Sequence, residues 1–340
     1  MTRARELAAS IAIGAVTALG YDIDGAAVME DVQLIKYDTR EAWLAARTVS
    51  IGASESAALF DLAPDSRESP YSLWAKKSGL IEPEQIDEEW LEWGQILEQP
   101  IADRYAKRTG DVLWTPPTPW CVAVHPRLPF LTATIDRWIV NPGKERGDLE
   151  IKNVGAFNQD WREDGAIAVP LHVQAQVQHQ LAVTGFSYAV VAALVGGNKL
   201  ETFELERNPE FIDELEAKAS EFWGKVQRKE PPPVDGKAAT SKALKRLHPD
   251  DDGSTVVLDD RAAELAIVWE AAKAHSKEVK AEEEAAKNRL IALVGSATFG
   301  DLPDGRKLTY KTTERDGYIV EPTKFRTLRI EKPKTKKGSK

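Results

Sequence analysis

The segment between residues 121 and 154 constrains the fold most strongly. CVAVHPRLPFLTATIDRWIV contains strand-like runs, GDLEIKNV is another, and the turn segment NPGKERG separates them. A helical apolar spacing follows, with Val173, Val177 and Leu181 four residues apart. Two further strand-like runs, YAVVAALVGG and KLETFELER, come next. This order predicts an α/β core, a central mixed sheet flanked by helices.

Helical segments precede the predicted sheet. TREAWLAART is expected to form a helix that begins at Thr39, and Ser54 is expected to cap another. SPYSLWAKKSGL predicts a third helix, which Gly79 ends. Residues 84–109 have the pattern of one long amphipathic helix or of a helix pair.

A composition shift after residue 230 indicates a domain boundary. The run Pro231 to Pro233 is followed by polar residues and then by a predicted Ala/Glu/Lys-rich helix from about Asp259 to Leu293. The final lysine-rich residues carry no apolar side chain, so we expect them to be disordered. The expected division is a domain over 1–230, a linker over 231–254, a helical C-terminal appendage over 255–330 that includes a small strand-containing segment, and a disordered basic tail over 331–340.

Charge and cysteine content exclude several classes of protein. The net charge of −9 argues against a protein that coats nucleic acid through a general positive field, but it leaves a carboxylate metal site open. The single cysteine, Cys121, excludes an internal disulfide and makes a cysteine-based zinc site unfavourable, as in a reducing compartment. No apolar run is long enough to span a bilayer. The apolar run from Ala8 to Gly20 is interpreted as a short helix or strand pair, with a signal peptide as the alternative.

The residues most suggestive of chemistry are Asp136, Glu150 and Lys152. Because side chains alternate along a strand, Glu150 and Lys152 project to one face while Ile151 points into the core. An aspartate from a neighbouring strand can reach the same point, and two carboxylates supply the hard oxygen ligands that Mg²⁺ prefers. Lys152 could position a water or stabilise developing negative charge. The alternative is a solvated ion pair on an edge strand.

Other polar residues could serve the same site. Glu98 lies on a predicted helix, and Gln174 and Gln178 share a helical face. Arg47 and Ser54 could hold an anion, since Ser54 opens a predicted helix whose N–H groups are unpaired. Each residue has a structural alternative as exposed surface or as a helix cap.

Taken together, these segments resemble the YqaJ-like viral recombinase family, relatives of phage lambda exonuclease within the PD-(D/E)xK nuclease superfamily. The matching pieces are ARTVSIGASESAALFDL, SLWAKKSGL, EWGQILEQPIADRYAKRTG, ATIDRWIV, GDLEIKNV and VQAQVQHQLAVTG. They stand in the family's order and cover about residues 39–225. The resemblance implies a restriction-endonuclease-like core.

The resemblance also implies the ligands of a metal site. Asp136 and Glu150 would bind Mg²⁺, which Mn²⁺ could replace, with help from the backbone carbonyl of Ile151. Lys152 would be the catalytic lysine of the motif. Ile135 stands where the superfamily name has proline, and that proline is often absent from the superfamily.

Three further roles, for four residues, follow from the resemblance. Glu98 would be the acidic helix residue near the metal, and Gln178, 26 residues after Lys152, would be the glutamine of the following helix. Arg47 and Ser54 would hold the 5′-terminal phosphate of the substrate strand.

The family implies a metal-dependent exonuclease that acts on ends of linear double-stranded DNA. It would digest 5′ to 3′ and leave 3′ overhangs for phage-type recombination by a single-strand annealing protein. A homo-oligomer such as a ring-shaped trimer, and the cytoplasm of a bacterium carrying the phage or prophage, also follow from the resemblance. The alternatives are an endonuclease or repair nuclease of the same superfamily, or a non-catalytic DNA-binding assembly protein. Because Cys121 is the only cysteine in the sequence, the branch of repair nucleases with four cysteines around an iron–sulfur cluster is excluded.

Overall fold

A computed structural model describes residues 22–23, 26–27, 32–64, 67–82, 88–315, 317 and 326–330. The chain divides into two compact units, Met1–Leu247 and His248–Lys340. The expected features at residues 8–20 and 331–340 lie outside the described residues.

Strands and helices are numbered in chain order over the described residues. The strands are β1 (Asp22–Ile23), β2 (Ala26–Ala27), β3 (Gln33–Lys36), β4 (Ile51–Gly52), β5 (Leu113–Trp114), β6 (Cys121–Val124), β7 (Leu131–Ala133), β8 (Arg137–Ile139), β9 (Gly147–Val154), β10 (Arg162–Glu163), β11 (Ala166–Ile167), β12 (Tyr188–Val195), β13 (Lys199–Glu206), β14 (Phe299–Asp301) and β15 (Lys307–Thr309). The helices are α1 (Arg40–Thr48), α2 (Ser56–Leu59), α3 (Pro70–Lys77), α4 (Glu88–Thr109), α5 (Leu171–Thr184), α6 (Pro209–Arg228), α7 (Ala238–Leu247) and α8 (Asp260–Val294), and short 3-10 turns span Ala53–Glu55 and Gln159–Trp161.

A five-stranded mixed sheet forms the centre of the first unit. Its order is β13-β12-β9-β8-β5. The pair β9 and β12 runs parallel, with α5 as part of the connection between them, and the other neighbours run antiparallel. A second sheet has the order β3-β6-β7-β4. The predicted α/β core with a central mixed sheet flanked by helices is therefore confirmed.

Helices α4 and α5 cover the five-stranded sheet on opposite faces. Val173, Val177 and Leu181 of α5 are buried, as their four-residue spacing predicts. The side chains buried on the α4 side of the sheet are Ile101, Tyr105, Ile139, Leu149, Val190 and Ala192. Residues that alternate along β9 therefore face different helices.

Capping residues set several helix ends. The Thr39 hydroxyl accepts the Ala42 N–H at 3.2 Å, which confirms the predicted start of α1. Gly185, with φ of 77°, ends α5 in the left-handed conformation that glycine adopts without strain. The expected helix cap at Ser54 is wrong: Ser54 lies inside the 3-10 turn, and Glu55 accepts the Gly52 N–H at 2.8 Å instead.

Two other expectations change in detail. Residues 88–109 form one helix, α4, that contains Pro100. The expected linker over 231–254 contains α7, which belongs to the first unit: the Ser69 and Thr240 hydroxyls are 2.6 Å apart, and Ala243 is buried in the main core. Apolar burial and this hydrogen bond order a segment whose polar composition suggested a linker.

The second unit contains α8, and none of the described side chains of this helix is buried. The strands β14 and β15 pair antiparallel after it. Within the described ranges of the chain, no helix is both long and apolar enough to cross a membrane.

Candidate active site

Asp136, Glu150 and Lys152 meet where β8 begins beside β9. The Ile151 N–H donates to Asp136 Oδ2 at 2.8 Å, which holds the aspartate against the backbone of β9. Lys152 Nζ lies 2.5 Å from Glu150 Oε1. Glu150 is 3% exposed, so this charged pair is not an ion pair on a solvated edge strand.

Two glutamines of α5 fix the Glu150 carboxylate. Gln176 Nε2 donates to Oε1 at 2.8 Å, and Gln180 Nε2 donates to Oε2 at 2.6 Å. The Gln176 amide oxygen also accepts a hydrogen bond from Lys152 Nζ at 3.2 Å. Gln176 therefore contacts both members of the ion pair and fixes their relative position.

The contacts between β9 and α5 form a regular series. Asp148, Glu150 and Lys152 share one face of β9, and Thr184, one turn after Gln180, contacts Asp148 at 3.2 Å. Two residues of a strand span about 6.7 Å and four residues of a helix about 6 Å, so the two spacings stay matched over three contacts. This match lets α5 fix the whole polar face of β9.

Glu98 approaches from the α4 side of the sheet. Its carboxylate forms an ion pair with Arg137, which is 5% exposed and also donates to the backbone carbonyl of Asp136. A second Arg137 nitrogen donates to Gln99 Oε1 at 2.8 Å. Arg137 thus ties α4 to the start of β8 beside Asp136.

Burial and neighbouring charges shift the pKa values of Asp136 and Lys152. Burial, and then the Glu150 and Glu98 carboxylates, raise the pKa of Asp136 well above its ordinary range. Burial opposes the charged form of Lys152, but Glu150 and Asp136 outweigh it and raise the pKa of this ammonium. Lys152 is therefore a cation at neutral pH, and Asp136 needs positive charge nearby to ionise.

Asp148 is a buried carboxyl behind Glu150. Burial, with a smaller contribution from Glu150, raises its pKa to about 8. The Thr184 hydroxyl has a single proton, and both Asp148 Oδ2 and the Gln180 carbonyl, at 2.9 Å, are within its reach. A protonated Asp148 removes this conflict, since its own O–H can donate to Thr184.

Asp136, Glu150 and Lys152 form a first polar cluster. Arg47 and Ser54 lie together in a second polar cluster. Arg47 Nη2 donates to Ser54 Oγ at 3.4 Å and lies 3.8 Å from Glu55. The buried Lys77 ammonium lies 2.7 Å from Glu55 and donates to the Arg47 carbonyl at 2.7 Å. Burial raises the pKa of Glu55, but Lys77 and Arg47 outweigh it and leave the pKa below its ordinary value.

The second cluster is connected to the first through α5. The Ser56 hydroxyl, at the start of α2, lies 3.3 Å from the carbonyl of Ala175. The next residue, Gln176, contacts Glu150 and Lys152. The two polar clusters therefore flank the first half of one helix.

Comparison with known proteins places this arrangement in a family. Residues 42–187 match the model of the YqaJ-like viral recombinase domain. The uncharacterized protein YqaJ of Bacillus subtilis (strain 168) is 30% identical over 223 residues, which are 64% of this chain and 66% of that protein. The matched segment holds both polar clusters. Residues 42–187 therefore form a YqaJ-like viral recombinase domain.

Two solved structures are similar in part to this chain. An alkaline exonuclease (LHK-Exo) from Laribacter hongkongensis is 18% identical, with a TM-score of 0.43, over 56% of this chain and 94% of that chain. A phage-related exonuclease from Haemophilus somnus 129PT is 13% identical, with a TM-score of 0.33, over 57% of this chain and 91% of that chain.

One sequence-predicted residue of the YqaJ-like domain lies apart from the site. Gln178 donates from its amide nitrogen to the Glu206 carbonyl at 2.7 Å, and its amide oxygen accepts the Asn208 N–H at 2.8 Å. It therefore bridges α5 to the segment after β13 and does not face Glu150. Gln174, on the same helical face, donates to the Val169 carbonyl at 2.8 Å.

Three further residues of the YqaJ-like domain contact the predicted site residues and were not predicted from the sequence. Gln176 and Gln180 contact Glu150, and Arg137 holds Glu98. No sequence signal separates these two glutamines from Gln174 and Gln178, because all four alternate with buried residues of α5. Arg137 gave a weak signal, because it is the charged first residue of β8 and directly follows Asp136.

The donor atoms of the YqaJ-like domain suit a hard divalent cation. Among the described residues, no group of three or more His, Cys, Asp or Glu side chains converges as a metal site. Asp136 and Glu150 supply two carboxylates near one another, and burial together with the neighbouring negative charge raises the pKa of Asp136. Mg²⁺ is typically held by one or two carboxylates and keeps several waters, which agrees with this set.

Proposed function

We propose that this chain is a divalent-metal-dependent DNA exonuclease. The observation that carries the proposal is the junction of Asp136 and Glu150 with Lys152 Nζ 2.5 Å from Glu150, on one buried sheet and inside the YqaJ-like domain. Two carboxylates and an ammonium in this arrangement suit in-line hydrolysis of a phosphodiester. The two partly similar solved structures are exonucleases by name.

In this proposal Asp136 and Glu150 hold Mg²⁺, which Mn²⁺ can replace, aided by the carbonyl of Ile151. When bound, the metal supplies Lewis-acid activation of a phosphoryl oxygen and of a bound water. Lys152, kept protonated by its neighbours, stabilises the negative charge that develops on the phosphate as water attacks. Gln176 keeps Lys152 beside Glu150 during the reaction.

Glu98 is proposed to act through its position near Asp136. After burial and Glu150, its charge is the next cause that raises the pKa of Asp136, so it adds to the negative potential that attracts a cation. Arg137 pairs with Glu98 and bonds the Asp136 carbonyl, and so holds Glu98 close to Asp136. Gln178 has no proposed role in catalysis, because its amide is engaged by the backbone away from Glu150.

Arg47 and Ser54 are proposed to bind the 5′-terminal phosphate of the digested strand. The Glu55 carboxylate and the Lys77 ammonium fix the backbone and side chains around them. A phosphate at this cluster would set digestion from 5′ to 3′ and leave 3′ overhangs. Such overhangs are the substrate of a single-strand annealing protein, the proposed partner, and a trimeric ring around DNA is the proposed oligomer.

The test of this function is digestion of linear and closed-circular duplex DNA with Mg²⁺, beside an EDTA control. We expect loss of the linear DNA alone, abolished by EDTA. Nicking of the circle would replace the exonuclease with an endonuclease. No cleavage of either DNA would contradict both and favour a non-catalytic assembly protein.

The phosphate site has a test of its own. Arg47→Ala should slow digestion of 5′-phosphorylated ends, because the guanidinium loses its contact with the phosphate, and should leave 5′-hydroxyl ends almost unaffected. End-labelled duplexes with either end measure the ratio of the two rates. Equal slowing on both ends would remove the proposed contact.

A further inference from the structure

A polar cavity lies at the C-terminal end of α5. Its volume is about 330 Å³. It is bounded by the β6–β7 turn, the last turn of α5, the helix α6, the residue before β9 and the residue after β13. The charged and titratable residues that line it are His125, Arg127, Arg146, Arg207 and Glu216.

The lining is positive although the chain is acidic. Three arginines against one glutamate give a local charge of +2, in a chain of net charge −9. His125 adds no charge at neutral pH, because burial lowers its pKa and its Nδ1 accepts the N–H groups of Arg127 and Leu128. A cavity of this charge favours an anion.

Contacts within the protein hold the guanidinium groups in place. Arg127 Nη2 donates to Glu216 Oε2 at 2.6 Å, and Arg207 donates to the Leu181 carbonyl. Arg146 lies over the Phe186 ring at 5.0 Å. Each guanidinium has five N–H donors, so Arg127 and Arg207 can each make these bonds and also bind an anion.

The end of α5 does not cancel this positive charge. A helix C-terminus carries partial negative charge on its last carbonyls. Here the Leu181 carbonyl accepts hydrogen bonds from Arg207 and from the Gly185 N–H. These bonds satisfy the carbonyl and direct an arginine into the cavity wall.

We propose that this cavity binds a phosphate group. Arginine matches the geometry of phosphate oxygens, and the volume lies in the range of ligand pockets and accommodates a nucleotide. The phosphate could belong to a polynucleotide backbone or to a free nucleotide, and the chemistry is the same. Gln180 of α5 faces Glu150 while the last turn of the helix lines the cavity, so this site is separate from the candidate active site. The proposal does not depend on the proposed nuclease activity.

The test is calorimetric binding to the full chain in EDTA, with Arg47→Ala as background so that the Arg47–Ser54 cluster does not contribute. The probes are inorganic phosphate, thymidine 5′-monophosphate and a single-stranded dodecathymidylate. Arg127→Gln and Arg146→Gln should each weaken binding by about tenfold, since each removes a charge-assisted hydrogen bond. The matched control is Arg228→Gln, an exposed arginine at the end of α6, which should leave affinity unchanged.

A variant that is expected to bind the anion more tightly distinguishes an effect of charge from structural damage to the cavity. Glu216→Gln removes the negative charge of the lining and should tighten binding several-fold, whereas a damaged cavity would bind more weakly. If the arginine variants bind all three probes more weakly, the cavity binds both free phosphate and the phosphates of a polynucleotide. If they bind only the oligonucleotide more weakly, the ligand is a polynucleotide backbone. Equal loss in Arg228→Gln, no change in the cavity variants, or no binding of any probe would overturn the proposal.

Discussion

The Glu150 side chain has little freedom to rotate, because each of its oxygens is held. Gln176 and Lys152 contact Oε1, and Gln180 contacts Oε2. Amide groups that orient a metal-binding carboxylate can matter nearly as much as the ligand itself. The chemistry of the site therefore depends on residues of α5 that need not touch the substrate.

The two neighbouring glutamines Gln178 and Gln180 provide a matched comparison. Gln180→Ala should lower the rate of DNA cleavage by about 10- to 100-fold, because Glu150 loses the donor that orients it. Gln178→Ala should change the rate little, since its amide bonds only backbone groups away from the site. Single-turnover digestion of a linear duplex measures both, and comparable losses in the two variants would contradict this assignment.

Asp148 makes the stability of the protein depend on pH. Its folded-state pKa of about 8 lies above the value of about 3.9 for an unfolded aspartate, so the folded state binds more protons between these limits. Stability should therefore fall as pH rises from about 4 to 8, by up to about 1.4 kcal/mol for each unit of pKa difference.

Asp148→Asn keeps the shape of the side chain and removes its titration. Urea unfolding at pH 5 and pH 8 should show a smaller difference in the free energy of unfolding for this variant than for the unaltered protein. An unchanged difference would show that Asp148 is not the group responsible.

For individual residues, the sequence predicts the placement of Glu150 and Lys152 better than that of the α5 glutamines around them. The alternation in GDLEIKNV places Glu150 and Lys152 on one face of a strand, as found. The apolar spacing of α5 fixes its buried stripe but not which flank of the stripe faces β9. Gln176 and Gln180 lie on one flank and Gln178 on the other, so periodicity alone could not choose between them.

The start of β9 packs closely against the start of β12. Gly147 pairs with both Ile139 of β8 and Tyr188 of β12. A Cβ at Gly147 would lie 2.5 Å from Tyr188 Cζ, far inside normal contact. Glycine therefore permits the Tyr188 ring to cover the strand end.

Gly147→Ala should destabilise the protein by about 1–3 kcal/mol, because the tyrosine ring or the strand must shift. The matched control is Gly155→Ala, just after the end of the same strand, where an added Cβ meets no atom within 4 Å. Chemical denaturation compares the two free energies of unfolding. Equal values for the two variants would show that the Tyr188 contact does not constrain β9.

Elements with strong local signals were predictable, and those stabilised by distant pairing were not. The eight-residue strands β9, β12 and β13 and the helix α5 follow from hydrophobic patterns. The two edge strands of the second sheet, β3 and β4, have only four and two residues and pair with β6 and β7 across long stretches of chain. Such short strands carry little pattern of their own, so tertiary contacts decide them.

At the scale of the whole molecule, the boundary between the two units falls after α7. The buried side chains of this helix are Ala239, Thr240 and Ala243. Thr240 also bonds Ser69 at the start of α3. Composition suggested a linker because most residues around these three are polar. The overall composition of a segment does not show which few of its residues are buried.

Truncation tests this boundary. A chain ending at Leu247 should unfold at the same denaturant midpoint as the first unit of the full chain, since α7 is retained. A chain ending at residue 237 should unfold at a lower midpoint, because the surface of α3 that α7 covers becomes exposed. Equal midpoints for the two truncations would show that α7 does not stabilise the first unit and would favour a boundary at the Pro231–Pro233 run.

The most direct measurement is single-turnover cleavage of a linear duplex in Mg²⁺ by the unaltered protein, Lys152→Ala and Glu150→Gln. Both substitutions should reduce the rate by at least about 100-fold, because one removes the cation that stabilises the phosphate and the other a carboxylate ligand. Circular dichroism should show that both variants keep the fold. Cleavage by either variant at the rate of the unaltered protein would contradict a catalytic centre at Asp136, Glu150 and Lys152.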